Sequence, residues 1–320
     1  MGERATTPIV VTGGAGAIGA VLVGALLEHG HEVRVIDNLS SGRREHLAPF
    51  AGNPRLSLTV DDLRQEGSWA DRFRGAEAVW HLAANPDIRR GTEDPRLDLE
   101  HGTVATFRVL EAARRHSVGR LLFSSSSVVY GYPTVFPTPE EYGPLLPQSL
   151  YGASKLASEA LLSAYAHCYG VRSYIFRYAN IVGPHMTHGI LFDLFAKLDR
   201  DPDRLEVLGD GKQAKSYLRA EDCVHGMIAL AEASRDPVNV FNLGAADRIS
   251  VREIAEKVVR ARGGRARIEY TGGAQGWRGD VPQQLLAIDK ARRFGWVPPR
   301  SSAEAVDLSI ADLLRERAGR

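Results

Sequence analysis

The hydrophobic positions of this chain repeat with two alternating periods. Ile9-Val10-Val11 is a short β-branched run. Ile18, Val21, Leu22, Ala25 and Leu26 then recur three and four residues apart, the single apolar stripe of a helix that Gly30 is placed to end. A second run, Glu32 to Ile36, ends in Asp37. Arg55–Val60, Ala78–Leu82 and Gly119–Phe123 read as a third, fourth and fifth strand, and Thr103–Arg115 as a helix with Val104, Phe107, Leu110 and Glu111 on one face. This alternation predicts an α/β fold on a doubly wound parallel sheet, with right-handed crossovers and helices on both faces. Ligands of such sheets lie outside the carboxyl ends of the strands, where Gly13, Asp37, Asp62, Ala83, Ser126 and Tyr151 all fall.

The second half is less regular. Residues 180 to about 214 and 246–320 read as a smaller mixed α/β region, while Val238–Asn242 reads as a strand returning to the large sheet. The predicted division is therefore interleaved. Residues 1–179 plus about 215–245 form a nucleotide-binding domain, and about 180–214 with 246–320 a substrate-binding domain. No linker rich in Pro, Gly or Ser divides them, and no internal repeat occurs.

Candidate chemistry begins directly after the first strand, where Gly13, Gly16 and Gly19 are spaced G-x-x-G-x-x-G. Glycines there allow a tight turn and close backbone approach to a pyrophosphate, and the following helix offers free N–H groups and a positive dipole end. Asp37, at a strand end about 20 residues on, is placed for the adenosine ribose hydroxyls and argues for NAD against a 2′-phosphate. The unit reads as a Rossmann-type dinucleotide site.

Far downstream, Tyr151 and Lys155 stand one helical turn apart in Tyr-Gly-Ala-Ser-Lys. A phenol with an unperturbed pKa of about 10 needs positive charge nearby to act as a base near neutrality, and Lys155 on the same helix face supplies it. Ser126, after the apolar run Leu121-Leu122-Phe123, adds a hydroxyl donor. Tyr-x-x-x-Lys is common on solvated helix faces; the glycine loop is what turns this pair into a candidate Ser/Tyr/Lys site for moving a proton off an alcohol during hydride transfer.

Composition changes the picture only by exclusion. Hydrophobic content of 44%, charged content of 25% and a formal charge of +1 are those of an ordinary soluble protein, with no electrostatic case for nucleic acid or an anionic membrane. No apolar run has the length of a membrane span, and the polar start lacks a signal-peptide core, so a cytoplasmic location is expected. Arg43-Arg44 and Arg89-Arg90 read as solvated surface or local phosphate contacts. Cys168 and Cys223 lack metal-ligand spacing and read as small buried residues, and no metal is expected.

These strings together resemble the extended short-chain dehydrogenase/reductase family, within it the nucleotide-sugar epimerases of the UDP-glucose (UDP-galactose) 4-epimerase type. The resemblance runs over nearly the whole length. It is carried by Thr12 to Gly19, Asp37 to Gly42, Asp61-Asp62-Leu63, His81 to Ala84, Ser124 to Gly131 and Tyr151 to Lys155, then by Arg177 to Asn180 with Gly183-Pro184, Gly209-Asp210-Gly211 with Gln213, and Arg278-Gly279-Asp280. It implies NAD held by Gly13, Gly16, Ala17, Ile18 and Gly19; by Asp37, Asn38, Ser41 and Gly42; by Asp62 and Leu63 at the adenine; and by Leu82, Ala83, Ala84, Ser124, Tyr151, Lys155 and Tyr178. It implies a UDP-sugar held by Asn85, Ser126, Ser127, Asn180, His188, Gly189, Leu205, Glu206, Val207, Gln213, Lys215, Arg278 and Asp280, and a homodimer paired through helices at Val104–Arg114 and Tyr151–Ala166.

Departures from the family pattern narrow the reaction. Family dehydratases carry an acid and a base, and decarboxylases a glutamate, where this chain has Ser127 and Val128; an aliphatic side chain transfers no protons, so elimination and decarboxylation lose support. Lys215 replaces a diphosphate-binding arginine, losing the bidentate fork, with Arg278 available to compensate. Gly102 replaces an asparagine near the catalytic tyrosine. After Gly183-Pro184 stand His185, Met186, Thr187 and His188, where uronate epimerases often have an arginine, and Gln284 occupies a position that in relatives limits room for a 2-acetamido group. The expected activity is 4-epimerisation of UDP-glucose/UDP-galactose with retained NAD. UDP-glucuronate 4-epimerisation is the close alternative, and a dehydrogenase or reductase with exchangeable coenzyme the alternative from another class; a cofactor-sensing binding protein is disfavoured by intact Tyr151 and Lys155.

Overall fold

In the computed structural model, which describes residues 7–277 and 279–318, seven parallel strands form the central sheet. They are β1 (Ile9–Thr12), β2 (Val33–Asp37), β3 (Leu56–Val60), β4 (Ala78–His81), β5 (Arg120–Ser126), β6 (Arg172–Tyr178) and β7 (Val238–Leu243), in the spatial order β7-β6-β5-β4-β1-β2-β3. The order reverses between β1 and β4, so the crevice for ligands opens at their carboxyl ends.

Both sheet faces are covered, as the near-continuous apolar strands require. On one face α1 (Ala17–Glu28) contributes Leu22, Val23, Leu26 and Leu27 to a cluster with Val224, Met227 and Leu230 of a later helix, Ala220–Ala233. On the other, α2 (Ala105–Arg115) and α3 (Leu150–Tyr169) pack Val109, Leu110, Ala113, Leu162 and Tyr165 against Val79, Leu121 and Ile175. A third cluster lies off the sheet: Leu191, Leu194, Phe195 and Leu198 of α4 (Ile190–Arg200) meet Leu205, Val207, Ile254, Val258, Val306 and Ile310. The residues around this cluster form only two- and three-stranded sheets, such as Arg204–Val207 paired in parallel with Arg267–Tyr270. Among the described residues no helix is long and apolar enough to cross a membrane, and no group of His, Cys, Asp and Glu is arranged to hold a metal ion.

Two local readings change, and one strand went unread. A π-helical turn, Leu99–Val104, precedes α2 and rotates its register: Ala105, Thr106, Val109, Leu110, Ala112 and Ala113 face inward, whereas Phe107 points out at 46% exposure. Strand β6 has no clean apolar signature, because Ser173 and Arg177 interrupt it, yet both are buried and bonded. Both cysteines are free, but only Cys223 is buried; Cys168 is exposed.

Arg177 explains how a charged strand residue enters the core. Its guanidinium donates to both oxygens of Glu159 on α3, at 3.0 and 2.7 Å, and to Tyr130 Oη and the Glu140 carbonyl at 3.0 Å each. The side chains of the pair are 7% and 6% exposed. Burial raises the Tyr130 hydroxyl to about 12, and it donates to Asn242 Oδ1 at 2.7 Å as a neutral phenol. Breaking one side of such a pair strands a buried charge. Glu159→Gln is therefore expected to lower the unfolding free energy by about 3 kcal/mol or more, read as an earlier urea midpoint; Asp71→Asn, at the exposed Arg74–Asp71 pair, leaves the midpoint unmoved.

Candidate active site

Two cavities meet at the carboxyl ends of the strands. The smaller, about 230 Å³, is lined by the glycine loop, the ends of β2, β3 and β4, and the start of α3. Every residue that the resemblance assigns to NAD lines it: Gly13, Gly16, Ala17, Ile18, Gly19, Asp37, Asn38, Ser41, Gly42, Asp62, Leu63, Leu82, Ala83, Ala84, Ser124, Tyr151, Lys155 and Tyr178.

The glycines do different jobs. Gly13 has φ +70, and a Cβ there would stand 2.6 Å from the Ala83 nitrogen; at Gly19 a Cβ would overlap the Gly13 carbonyl oxygen. Those two are required by the turn itself. At Gly16 a Cβ would meet only the Gly13 oxygen, at 3.3 Å, and Gly16 is the N-cap of α1 with no side chain on its first-turn amides. Free N–H groups beside an uncrowded glycine form a cradle for a diphosphate, so these residues fit a dinucleotide. Asp37 buttresses the cradle: Oδ2 accepts from Ala15 N at 2.9 Å and Oδ1 from Leu39 N at 2.8 Å, which leaves further lone pairs for ribose hydroxyls. Asp62 is gripped by Arg64, whose side chain donates to both its oxygens at 2.7 to 3.1 Å, and this holds its pKa down at about 2. Asp61, quoted above only as part of the string Asp61-Asp62-Leu63, also lines the cavity, as do Arg64 and His101, which were not read from the sequence because it carries no spacing rule for them.

The larger cavity, about 670 Å³, lies between the sheet and the third cluster. Ser126, Ser127, Asn180, His188, Gly189, Glu206, Val207, Gln213, Lys215 and Asp280 line it, whereas Asn85 lines the cofactor cavity. Leu205 lines neither. In strand Arg204–Val207 the side chains alternate, and Leu205 is fully buried in the third cluster. Arg278 lies outside the described residues. Lys215 donates to Asp280 Oδ1 at 2.6 Å, so the cation placed for a diphosphate already has a carboxylate partner. Gln213 is 2% exposed with neither amide atom hydrogen-bonded among the described residues, and Gln284 Nε2 is likewise unpaired; both line the cavity, whose wall thus offers polar groups in need of partners. Arg89, read as solvated surface or a local phosphate contact, also lines it, 3.3 Å from Asp193 and 3.6 Å from Asp87. Burial lowers the pKa of His188, which faces both cavities.

A clasp joins the two sides. His46 Nδ1 donates to the Ala15 carbonyl at 2.8 Å, and its ring stacks on that of His185 with the ring centres 4.4 Å apart. The backbone N–H of His185, at φ +64, donates to Glu316 at 2.8 Å.

Tyr151 stands on the wall common to both cavities, as do Ser125 and Tyr178. Ser149 caps the helix N-terminus just before it, accepting from Gly152 N at 3.1 Å. One turn on, Lys155 donates to the Ser124 carbonyl at 2.6 Å, with its nitrogen 4.7 Å from the Phe123 ring centre and 5.5 Å from that of Tyr151. Burial pushes the Tyr151 hydroxyl above the ordinary phenol value, and the charge of Asp98 adds to this; burial lowers Lys155 to about 7. The protein by itself thus keeps the phenol protonated. Behind Lys155, His81 is held neutral down to about 3 by burial, bridging Thr12 and Thr106 hydroxyls at 2.6 and 3.0 Å. At Gly102 a Cβ would stand 2.5 Å from Ser154 Oγ, so the larger side chain common in relatives has no room in this arrangement.

Residues 9–244 match the model of the NAD dependent epimerase/dehydratase family. A crystal structure of a UDP-galactose 4-epimerase is 43% identical, with a TM-score of 0.87 over 97% of this chain and 99% of that one. The UDP-glucose 4-epimerase of Mycolicibacterium smegmatis is 31% identical over 94% of this chain and 96% of its own. UDP-glucuronic acid decarboxylase 1 of Arabidopsis thaliana is 32% identical over 95% of this chain and 69% of its own. A dinucleotide cradle, a Tyr/Lys pair between two cavities and a likeness that spans nearly the whole chain agree: this protein belongs to the NAD dependent epimerase/dehydratase family, among the extended short-chain dehydrogenases/reductases that act on nucleotide sugars.

Proposed function

We propose that the protein epimerises a UDP-hexose, UDP-glucose/UDP-galactose, at carbon 4 through a transient 4-keto sugar. The observation that carries this reading is the position of Tyr151, which borders both the cofactor cavity and the larger cavity, with Lys155 one turn behind it. When bound, NAD supplies the hydride acceptor and donor. As the phenolate that Lys155 and the positive charge of the oxidised coenzyme would favour, Tyr151 takes the proton of the sugar 4-hydroxyl and later returns it, and Ser126 donates to the same oxygen. Ser127 and Val128 line the cavity where a dehydratase or decarboxylase would need carboxylates, which favours proton and hydride traffic at carbon 4 alone. The breadth of the larger cavity suits a keto ring that must present its opposite face while Glu206, Val207, Asn180 and the Lys215–Asp280 pair hold the nucleotide end.

A second reading, UDP-glucuronate 4-epimerisation, draws support from Arg89 and His188 on the cavity wall. Against it, Arg89 is already engaged by Asp87 and Asp193. We also read the molecule as a homodimer, paired through α2 and α3, which expose Phe107 and Tyr169.

Incubated without added coenzyme, the purified protein is expected to invert UDP-glucose and not UDP-glucuronate, followed by NMR at carbon 4. Inversion of the uronate alone would transfer the assignment to the second reading, and dependence on added NAD would point to a coenzyme-exchanging dehydrogenase. Tyr151→Phe is expected to keep UDP-sugar affinity while kcat falls by about 10²–10⁴-fold; an unchanged kcat would remove Tyr151 from the mechanism. Light scattering should give twice the 34.9 kDa chain mass, and a monomer would refute the pairing.

A further inference from the structure

An acid that the chemistry above does not use lies behind the catalytic helix. Asp98 ends the one-turn helix Pro95–Asp98 and is 1% exposed. Its Oδ1 accepts from Asn85 Nδ2 at 2.9 Å, while its Oδ2 is buried with no hydrogen-bond partner among the described residues. Position 91 makes room for that oxygen: a Cβ there would overlap it, so the carboxylate occupies this slot only beside a glycine. A buried carboxylate oxygen without a hydrogen bond is costly unless a nearby charge compensates it.

Lys155 poses the complementary problem. It is 2% exposed, and its hydrogen bond within the protein goes to a neutral carbonyl, that of Ser124. Glu159, one turn further along α3, is committed to Arg177 and to the Ser125 hydroxyl. Of the two carboxylates that act on Lys155, Asp98 has the larger effect, and Asp98 is also the charge that acts on Tyr151.

We propose that Asp98 is the buried counter-ion of Lys155, a positioning residue that holds the lysine as an ammonium and so keeps a cation behind Tyr151. Asn85 fixes the acid and favours its ionised form by donating to it, and Gly91 provides its slot. The charged and titratable groups that face this pair are Tyr151 and Glu159 from α3, His81 from β4 and Asp87 from the turn before Ile88–Glu93. Burial pushes the Asp98 carboxyl above its ordinary value, and the Asn85 hydrogen bond and then the Lys155 charge oppose this; His81 is neutral and Asp87 repels Asp98, so Lys155 is the cation that offsets the burial of the acid. A negative charge here raises the pH at which both Lys155 and Tyr151 lose their protons. Removing it lowers both, and since burial already holds Lys155 at about 7, the ammonium would be lost from the neutral range. The proposal rests on Tyr151 and Lys155 as the proton-handling pair, not on the identity of the sugar.

The test labels the holoenzyme with ¹³C at the lysine ε-carbons and follows the titration by NMR. The chain has six lysines, and the signal lost in Lys155→Arg assigns the one of interest. In Asp98→Asn, Lys155 is expected to titrate lower by about 1 pH unit or more, and both limbs of the pH–rate profile should move to lower pH. Should that variant not fold, Asn85→Ala withdraws the donor that favours the ionised acid and should move Lys155 in the same direction by less. A Lys155 titration unchanged from wild type in the folded variant overturns the proposal, as does a lower rate with an unmoved pH profile, which would reduce Asp98 to packing. The NMR readout needs no sugar, so its failure is distinct from failure of the epimerase reading.

Discussion

A carboxylate and a guanidinium, both nearly shut off from solvent, fix the catalytic helix to the sheet. Glu159 on α3 and Arg177 on β6 are joined by parallel hydrogen bonds, and the same guanidinium reaches Tyr130 and the Glu140 carbonyl in the segment between β5 and α3. Apolar contacts alone tolerate sliding and rotation; a bidentate ion pair does not. Tyr151, Lys155 and Glu159 are spaced four apart on one helix, so fixing the third fixes the azimuth of the other two. The register of the pair therefore decides whether the phenol faces the junction of the two cavities.

Around this anchor the site trades solvation for charge. Burial alone keeps Tyr151 protonated and weakens the hold of Lys155 on its proton. The neighbourhood answers with a carbonyl, two carboxylates and a neutral imidazole, leaving the lysine poised near 7 rather than near its usual value. A residue poised there responds strongly to small changes in nearby charge, which is the property that proton transfer near neutral pH needs. The glycine loop shows the same economy in backbone form: Gly13 and Gly19 serve the turn, and Gly16 leaves space.

What was legible in the sequence was whatever depends on residue type at a fixed spacing. The glycine triplet, Asp37 after its strand, and Tyr151 with Lys155 could be read directly, and the alternation of apolar runs carried the sheet and its helices. What escaped depends on partners distant in sequence. Strand β6 was hidden because its Arg177 looks wrong for a core until Glu159 is placed beside it. Phe107 was turned outward by a π-helical turn that no periodicity reveals. Leu205 belongs to a strand whose alternation sends it, with Val207, into the third cluster; Val207 also reaches the cavity edge beside Glu206, and Leu205 does not. Arg64, Arg89 and Asp98 carry no motif, and only the fold brings them to the site.

The stack of His46 on His185 has a bearing on how the chain tolerates editing. His46 is tied to the carbonyl of Ala15 in the glycine loop, His185 belongs to the segment after Gly183-Pro184, and Glu316 near the end of the last helix, Ser302–Ala318, accepts from the His185 backbone. Three stretches far apart in sequence thus share one small contact. Trimming that helix for crystallisation, or fusing a tag in place of its last turn, would take away the acceptor that seats His185 and with it one face of the stack. In this molecule the coenzyme loop is braced by a helix far from it in sequence, and Ser302–Ala318 is a poor place to cut.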